Sequence, residues 1–466
     1  METVIIIVFV LGYLAITLEH NLKIDKLIPA LIMMAICWAL IAFGLDDFTT
    51  WFDSSQHGLV DGYAEMGQEG KLHLMEETLL HHLGKTAEIL VFLLGAMTIV
   101  EIIDYFNGFA TIKGFIKTKS KVRILWIFSF LAFILSAIID NLTATIVLIS
   151  ILQKIVGKRE DRLWYAGLII IAANAGGAWS PIGDVTTTML WIGNKVSTGN
   201  LIIYLLLPSL VCMVIPSLIA SFLPAFKGKI DADDLDDNNE NTSKFGPTML
   251  YLGLSAIVFV PVFKVVTHLP PYVGMMLSLG VVATFAEIYS STKFSITELG
   301  AKEESKEAAH HSPVHHSLSK IELPSILFFL GILMAVAALE SLGQLFGFAN
   351  YLQDAMPMLG TELDGTRVSD LVVIFLGFGS AVIDNVPLVA ASLGMFSEPI
   401  DNPLWHFIAY SAGTGGSMLI IGSAAGVVAM GMEKIDFFWY LRKISWLALL
   451  GFLAGAVVFV VMRAIL

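Results

Sequence analysis

The hydrophobic positions of this chain fall in long blocks that contain few charges. Blocks of about 20 apolar residues have the length that an α-helix needs to cross the hydrocarbon core of a bilayer. They lie at residues 4–18, 27–44, 89–103, 201–223, 249–266, 273–285, 326–342 and 446–466. The pattern therefore predicts an all-α polytopic membrane protein.

The composition supports a membrane location. Hydrophobic residues make up 56% of the chain and charged residues only 14%, whereas a soluble domain is roughly 25% charged. The chain carries no basic stripe with interleaved aromatic residues, so we expect no nucleic-acid partner and a partner surface of membrane lipid. Cys37 and Cys212 lie inside apolar blocks without metal-ligand spacing, which argues against a disulfide framework and a zinc site.

Three polar stretches interrupt the apolar blocks. The first covers residues 46–85 and is acidic, and the second, at 227–246, contains DADDLDDNNE and is interpreted as an acidic cytoplasmic linker. The third is a His-rich loop at 293–320. Its histidines could bind a metal or sense pH, although a solvated loop is the simpler interpretation.

An internal repeat organises the chain into two halves. Three segments of the first half have counterparts in the second half, in the same order and at nearly the same spacing. The pairs are 91–104 with 327–340, 136–148 with 380–392, and 174–190 with 413–430. We therefore predict a first membrane repeat at 1–226 and a second at 247–466.

Loop charges orient the two repeats in opposite senses, because Lys and Arg accumulate on the cytoplasmic side of a membrane. The segment at about 124–156 is flanked by basic residues at both ends, whereas the segment at about 368–398 is flanked mainly by acidic residues. The two segments therefore enter the membrane from opposite faces. This is the inverted-topology pattern of secondary transporters.

Each of these segments is predicted to form a re-entrant helical hairpin. The arms on either side of Asp140-Asn141, between Arg123 and Lys154, are at or below the ~17 residues that a full crossing requires. A hairpin would place this pair, and Asp384-Asn385 in the second repeat, near mid-membrane. Irregular backbone can be satisfied there by the surrounding protein.

A broken transmembrane helix is predicted after each hairpin, at about 163–195 and about 404–432. Glycines, together with Pro181 in the first repeat, interrupt these helices and free backbone polar groups. Interrupted segments at corresponding positions of two repeats indicate the binding site of a transporter. Close helix packing would explain a glycine pair, but not the Pro, Asp, hydroxyl and amide residues beside it.

Three carboxylates are predicted at depth, Asp140, Asp184 and Asp384, with no Lys or Arg beside them. Intramembrane carboxylates mark ion or proton paths. A carboxylate that accepts either a proton or a hard cation such as Na+ or Li+ would give antiport, because the two ions compete for it. Asp104 and Glu340, near the ends of matching helices, are expected to be interfacial.

Roles can be assigned from this chemistry. We expect Asp140 and Asp184 to be the carboxylates shared by cation and proton, with the ion bound mainly by the first repeat. The expected neutral ligands or hairpin-tip caps are Asn141, Thr143, Asn174, Thr186 and Thr187, and the second-repeat counterparts are Ser380, Asp384, Asn385 and Ser417. A helix-capping role is the alternative for Asp384.

The chain resembles the NhaD-type sodium/proton antiporters of the ion transporter superfamily over nearly its whole length. The resemblance rests on SAIIDNLTATIVL, NAGGAWSPIGDVTTTMLWIGNKVST, SAVIDNVPLVAASLGM and AGTGGSMLIIGSAAGV. It implies exchange of Na+ and Li+ for H+ without a cofactor, a role in salt and alkali tolerance, a bacterial inner-membrane location, elevator-like movement and a scaffold that often dimerises. It also implicates these polar positions: Ser136, Asp140, Asn141, Asp184, Thr186, Thr187, Ser380 and Asn385.

Two other functional classes are alternatives to antiport. A sodium-coupled carboxylate symporter or an arsenite-type anion permease belongs to the same superfamily, but the dicarboxylate carriers that resemble this fold tend to have Ser-Asn-Thr at their hairpin tips, where this chain has Ile-Asp-Asn. A membrane enzyme would need a catalytic motif, and the sequence contains no HExxH, GxSxG or GxxxxGK[ST].

Overall fold

The protein is described here by a computed structural model covering residues 1–17, 19–53, 58–113, 116, 118–230, 245–298, 312–345, 347–348, 351, 368–382 and 385–465. The first repeat contains α1 Glu2–Thr17, α2 Glu19–Leu22, α3 Leu27–Phe43, α4 Gln68–Tyr105, α5 Ala110–Lys113, α6 Lys121–Ile139, α7 Asn141–Ile155, α8 Arg159–Ala178, α9 Val185–Ile192 and α10 Thr198–Ser221.

The remaining described helices follow the linker. They are α11 Gly246–Thr267, α12 Pro271–Glu298, α13 Pro313–Lys320, α14 Leu323–Ser341, α15 Asp370–Val382, α16 Asn385–Met395, α17 Pro403–Gly415, α18 Ala424–Glu433, α19 Phe437–Lys443 and α20 Ser445–Ile465. Short 3-10 helices lie at Leu45–Asp47, Tyr63–Glu65 and Pro224–Phe226, and β1 Phe52–Asp53 pairs antiparallel with β2 Gly58–Leu59.

Among the described residues, seven helices are long and apolar enough to cross a membrane. They lie at Gln68–Tyr105, Lys121–Ile139, Thr198–Ser221, Gly246–Thr267, Pro271–Ser290, Leu323–Ser341 and Ser445–Ile465. The prediction of an all-α polytopic membrane protein is therefore confirmed.

The polar stretches are more helical than the sequence suggested. Residues 68–85 of the acidic stretch at 46–85 belong to α4, which begins at Gln68 and runs for 38 residues. Its polar first turns contain strong helix formers, and Lys71 is buried 3.7 Å from the Asp46 carboxylate. The His-rich loop at 293–320 is helical at both ends, in α12 and α13, whereas residues 299–311 lie outside the described part.

The linker begins against the first predicted hairpin. Lys229 pairs with Ser120, and the Ile230 N–H donates to the Lys119 carbonyl at 3.0 Å. Residues 231–244, which hold the acidic run, lie outside the described part. The linker thus starts beside the N-terminus of α6.

One helix ends and the next begins within each segment that the sequence predicts as a hairpin. In the first hairpin segment α6 ends at Ile139 and α7 begins at Asn141, with Asp140 between them at φ 79°. In the second segment α15 ends at Val382 and α16 begins at Asn385. The arm formed by α6 has 19 residues, because it begins before Arg123. Arm length alone therefore does not distinguish a re-entrant hairpin from a full crossing of the membrane.

The two hairpin segments pack against their broken helices through equivalent contacts. The Ser136 hydroxyl donates to the Ala173 carbonyl at 2.6 Å, and the Ser380 hydroxyl donates to the Ala412 carbonyl at 2.6 Å. Gly176 and Gly415 also occupy equivalent positions, since a Cβ on either would collide with a carbonyl oxygen of the adjacent hairpin helix. The sequence repeat is therefore also a repeat of contacts.

Candidate functional site

Asp184 lies at the start of α9, where the first broken helix resumes. Its carboxylate Oδ1 accepts the Thr186 N–H at 3.1 Å, which makes it the N-cap of that helix, and the residue is only 2% exposed. Asp is a favoured N-cap, and the positive end of a helix dipole stabilises a negative charge. A carboxylate is therefore held inside the protein by a helix break.

Two asparagine amides converge on the other oxygen of this carboxylate. Asn141 Nδ2, from the start of α7, donates to Asp184 Oδ2 at 3.0 Å. Asn385 Nδ2, from the start of α16, donates to the same oxygen at 3.0 Å. Both hairpin segments thus reach one carboxylate, one from each repeat.

Asn174 connects this group to the second broken helix. Its Oδ1 accepts from Asn141 Nδ2 at 2.9 Å, and its Nδ2 donates to the Ser423 hydroxyl oxygen at 3.0 Å. Ser423 is the N-cap of α18. All four interrupted segments of the two repeats therefore meet in one buried hydrogen-bond network, which we call the Asp184 network: Asn141, Asn174, Asp184, Asn385 and Ser423.

Buried hydroxyl groups surround the Asp184 network. Thr186 Oγ1 is fully buried and has no hydrogen-bond partner among the described residues. Thr187 Oγ1 donates to the Asp184 carbonyl at 2.9 Å, and Ser136 and Ser380 bond the broken helices as described above. An unpaired buried hydroxyl costs free energy, so Thr186 Oγ1 is an oxygen atom available as an additional cation ligand.

Asp140 forms a separate local group. Its Oδ1 accepts the Thr143 N–H at 2.8 Å, and its Oδ2 accepts the Thr143 hydroxyl at 2.9 Å. It therefore caps α7, the role that the sequence offered as an alternative for Asp384. Asp384 itself lies outside the described residues.

Ser417 is not hydrogen-bonded to the Asp184 network. Its hydroxyl donates to the Thr414 carbonyl at 2.7 Å, and its own carbonyl accepts from the Tyr440 hydroxyl at 2.8 Å. Ser423, which the sequence reasoning did not select, takes the place expected for Ser417. The sequence does indicate the Ser423 position, because the internal repeat aligns Gly183-Asp184 with Gly422-Ser423.

Two cavities flank the interrupted helices. One of about 320 Å³ is lined by Thr143 of α7, by Glu101 and Asp104 of α4, and by Lys154 and Lys320, among others. The other, of about 460 Å³, is lined by residues that include Met189 of α9, Leu393 of α16, His82 of α4 and Glu340 of α14. Asp104 and Glu340 thus lie on cavity walls, one in each cavity.

The available ligand atoms suit a hard cation. Within the described ranges, no group of three or more His, Cys, Asp or Glu side chains is arranged to hold a metal ion. The Asp184 network instead offers carboxylate, amide and hydroxyl oxygens, which suit ions such as Na+ and Li+ better than transition metals.

Comparison with known proteins identifies the family. The model of a family described as citrate transporter (CitMHS) matches residues 6–402. Sodium/proton antiporter 1 of Arabidopsis thaliana is 41% identical over 453 residues, covering 96% of this chain and 70% of the relative. The Na+/H+ antiporter NhaD of Vibrio cholerae is 30% identical, covering 99% of this chain and 91% of the relative, and that of Alkalimonas amylolytica is 31% identical, covering 98% and 89%.

These relatives are transporters and not enzymes, and they align with nearly the whole chain. Together with the apolar helices, they describe a multi-pass membrane transporter. The chain therefore belongs to the CitMHS family of citrate transporters, and its resemblance to the NhaD-type sodium/proton antiporters is confirmed.

Proposed function

We propose that this protein exchanges Na+, or Li+, for H+ across a membrane, with Asp184 as the carboxylate shared by the two ions. The observation that carries the proposal is the convergence of Asn141 and Asn385 on Asp184 Oδ2 inside the protein. These donors favour an ionised carboxylate at a depth where ionisation is otherwise costly. An ionised carboxylate can bind either H+ or Na+, and this competition is the basis of antiport.

The cation would bind oxygen atoms around Asp184. The candidates beside the carboxylate are Asn174 Oδ1 and the unpaired Thr186 hydroxyl. Proton binding would neutralise Asp184 and weaken the hold on the cation. The names of the relatives in Vibrio cholerae and Arabidopsis thaliana agree with this pair of ions.

An inverted arrangement of the two repeats is part of the proposal. Arg159, at the start of α8, donates to the Lys434 carbonyl just after α18 at 2.8 Å. The Ser197 N–H, just after α9, donates to the Asp401 carboxylate just before α17 at 2.6 Å. Both contacts are expected if the two broken helices run in opposite directions and the hairpins enter from opposite faces.

Alternating access by an elevator-like movement follows from this arrangement. The hairpins α6–α7 and α15–α16 and the broken helices are joined through the Asp184 network, so they would move as one body. The two cavities lie between this body and α4 or α14, which would form part of the scaffold. Asp140, next to Asn141 and capping α7, is proposed as the second carboxylate of the path, with Thr143 as its partner.

The remaining assignments stay predictions. Homodimerisation and the roles of Asp384 and Ser417 rest on the resemblance and on the sequence repeat. A bacterial inner membrane is the predicted location, and the relatives come both from Vibrio species and from Arabidopsis thaliana. The linker is predicted to lie on the cytoplasmic side, because Lys and Arg accumulate in cytoplasmic loops.

A second candidate function is transport of a carboxylate such as citrate, because the family description names citrate. An anion would have to bind beside Asp184, whose ionised form would repel it. The oxygen atoms beside Asp184, Asn174 Oδ1 and Thr186 Oγ1, favour a cation instead.

Dequenching of a pH-sensitive dye in proteoliposomes distinguishes the two functions. With an imposed pH gradient, we expect Na+ and Li+ to collapse the gradient and citrate to have no effect. Asp436→Asn, which alters an exposed helix cap, should behave like the wild type. Gradient collapse by citrate, with none by Na+, would overturn the proposal.

A further inference from the structure

Ser423 is the counterpart of Asp184 in the second repeat. Asp184 has φ −148° and ψ 149°, and Ser423 has φ −148° and ψ 152°. Each is the N-cap of the second part of a broken helix, since the Gly426 N–H donates to the Ser423 hydroxyl oxygen at 3.2 Å. The two positions share a backbone conformation and differ in charge.

The Ser423 hydroxyl also accepts a hydrogen bond from Asn174. An asparagine amide has an oxygen that accepts on one side and an NH2 group that donates on the other. With Nδ2 bonded to Ser423, Asn174 Oδ1 faces Asn141, whose Nδ2 bridges to Asp184. The direction of these hydrogen bonds is set at Asp184, and the Ser423 hydroxyl oxygen accepts the last of them.

The charge of Asp184 explains the direction of these hydrogen bonds. An ionised carboxylate only accepts hydrogen bonds, so Asn141 must turn its Nδ2 toward Asp184. That Nδ2 in turn requires an acceptor on Asn174, which leaves the Asn174 Nδ2 in need of an acceptor on the opposite side. Ser423, which is 1% exposed, supplies this acceptor.

We propose that Ser423 is a positioning residue for cation binding: it holds the Asn174 amide with its oxygen, and not its nitrogen, directed to the Asp184 network. This rests on the function proposed above. If the amide turned over, its NH2 group would face the cation and repel it. Through Ser423, the second repeat thereby determines the ligand geometry in the first repeat. Because Ser423 is uncharged, Asp184 provides the carboxylate of the site.

A capping role alone would give a different pattern of variants, so the two roles can be separated. Ser423→Ala removes both the cap and the acceptor. Ser423→Gly removes the acceptor but costs the cap only a few tenths of a kcal/mol, because Gly is tolerated at N-caps. Ser423→Thr keeps both. The positioning role predicts that Gly behaves like Ala, whereas a capping role predicts that Gly behaves like the wild type.

The test is the Na+ dependence of proton movement in proteoliposomes at fixed pH. We expect Ser423→Ala and Ser423→Gly to raise the half-saturating Na+ concentration about tenfold, equivalent to ~1.4 kcal/mol of binding, with the maximal rate within about twofold of the wild type. Ser423→Thr should restore the wild-type value. Ser341→Ala is the control, since this buried hydroxyl bonds only its own helix, at the Ala337 carbonyl.

Wild-type half-saturation in Ser423→Gly, or an unchanged half-saturation with a reduced maximal rate in both variants, would overturn the positioning role. If Ser423→Ala does not insert, the comparison of Gly with Thr decides the question. Failure of the proposed function is distinguishable, because the wild type would then show no Na+-dependent proton movement. Loss of exchange in Asp184→Asn, with unchanged half-saturation in both Ser423 variants, would overturn the positioning role alone.

Discussion

Asn141 and Asn385 donate hydrogen bonds to the same oxygen of Asp184, although they belong to different repeats of the chain. They occupy the same place in the two matching motifs, each immediately after an aspartate. The two motifs are therefore similar in sequence, but the site that they form is asymmetric, with one carboxylate between two amides. Both repeats are needed to build it.

Removal of either amide should therefore weaken transport to a similar degree. Hydrogen bonds to charged groups contribute roughly 1.5–3 kcal/mol, so we expect Asn141→Ala and Asn385→Ala each to reduce exchange at low Na+ by at least about tenfold. Initial rates of dye dequenching over a range of Na+ concentrations measure this. Gln68→Ala, which removes an exposed amide at the start of α4, is the control. Full activity in Asn385→Ala with none in Asn141→Ala would confine the site to the first repeat.

The close approach of Gly176 to α6 should be essential for folding. A Cβ at this position would collide with the Phe133 carbonyl oxygen, which belongs to helix backbone and cannot rotate away. Overpacking of this kind costs about 1–3 kcal/mol or more. We expect Gly176→Ala to lower both the yield of folded protein and its Tm in detergent, and the equivalent Gly415→Ala to do the same.

Gly199→Ala is the matched control for this prediction. Gly199 lies near the start of α10, and an added Cβ would meet nothing within 4 Å. Because Ala is the better helix former, its Tm should be equal to or above that of the wild type. Equal Tm values for Gly176→Ala and the wild type would show that the two helices are not packed as described.

A buried ion pair joins the two repeats at one end of the bundle. Arg162 Nε lies 3.0 Å and 3.1 Å from the two Glu433 carboxylate oxygens, and the Glu433 side chain is 1% exposed. Removal of one partner leaves an unpaired buried charge, at a cost of about 3–5 kcal/mol. We expect Arg162→Met to lower Tm strongly, and Arg162→Met with Glu433→Met to recover much of the loss.

The control for the ion pair is Lys443→Met, which removes an exposed positive charge. Its Tm should stay close to that of the wild type. A double variant no more stable than Arg162→Met alone would argue that the pair contributes through specific geometry and not through compensation of charge.

Asp401 gives a prediction about pH. Burial acts to raise the pKa of Asp401, but the nearby His406 ring, the Ser197 N–H that donates to Oδ1 at 2.6 Å and the Asn200 side chain prevail and hold the pKa well below its ordinary value. A depressed pKa stabilises the fold at every pH above the unfolded value of roughly 4. That stabilisation is lost as the pH falls through the folded value.

Asp401→Asn should therefore have a lower Tm than the wild type, by a constant amount between about pH 5 and pH 8. Below about pH 4 the difference should shrink, because the wild-type carboxyl loses its advantage as it approaches protonation. Thermal unfolding in detergent across this pH range measures the effect. A difference that grew as the pH fell would contradict the assignment.

The sequence predicted much of this structure because the signals were local. Gly, Pro and Asp in 174–190 specify a helix break wherever they occur in apolar sequence, and the structure has the break between Ala178 and Val185. The length of α4 was missed because a polar stretch resembles a loop until Lys71 is seen to be buried against Asp46. Tertiary contact, and not composition, decides such cases.

The site was harder to predict than the fold, since it depends on how distant segments meet. Asn141, Asn174 and Asp184 were selected as neighbours, but the expectation that the ion belongs mainly to the first repeat did not anticipate Asn385 bonding the same carboxylate. Ser423 was not among the residues selected as ligands. Its importance became visible only when Asn174 was found to donate to it.

Na+-induced proton release from the purified protein tests the central role of Asp184 most directly. If H+ and Na+ compete for this carboxylate, Na+ added to weakly buffered protein in detergent should release up to about one proton per chain, and Li+ should do the same. Asp184→Asn should release none, while Asp436→Asn should match the wild type. Undiminished proton release from folded Asp184→Asn would contradict the account.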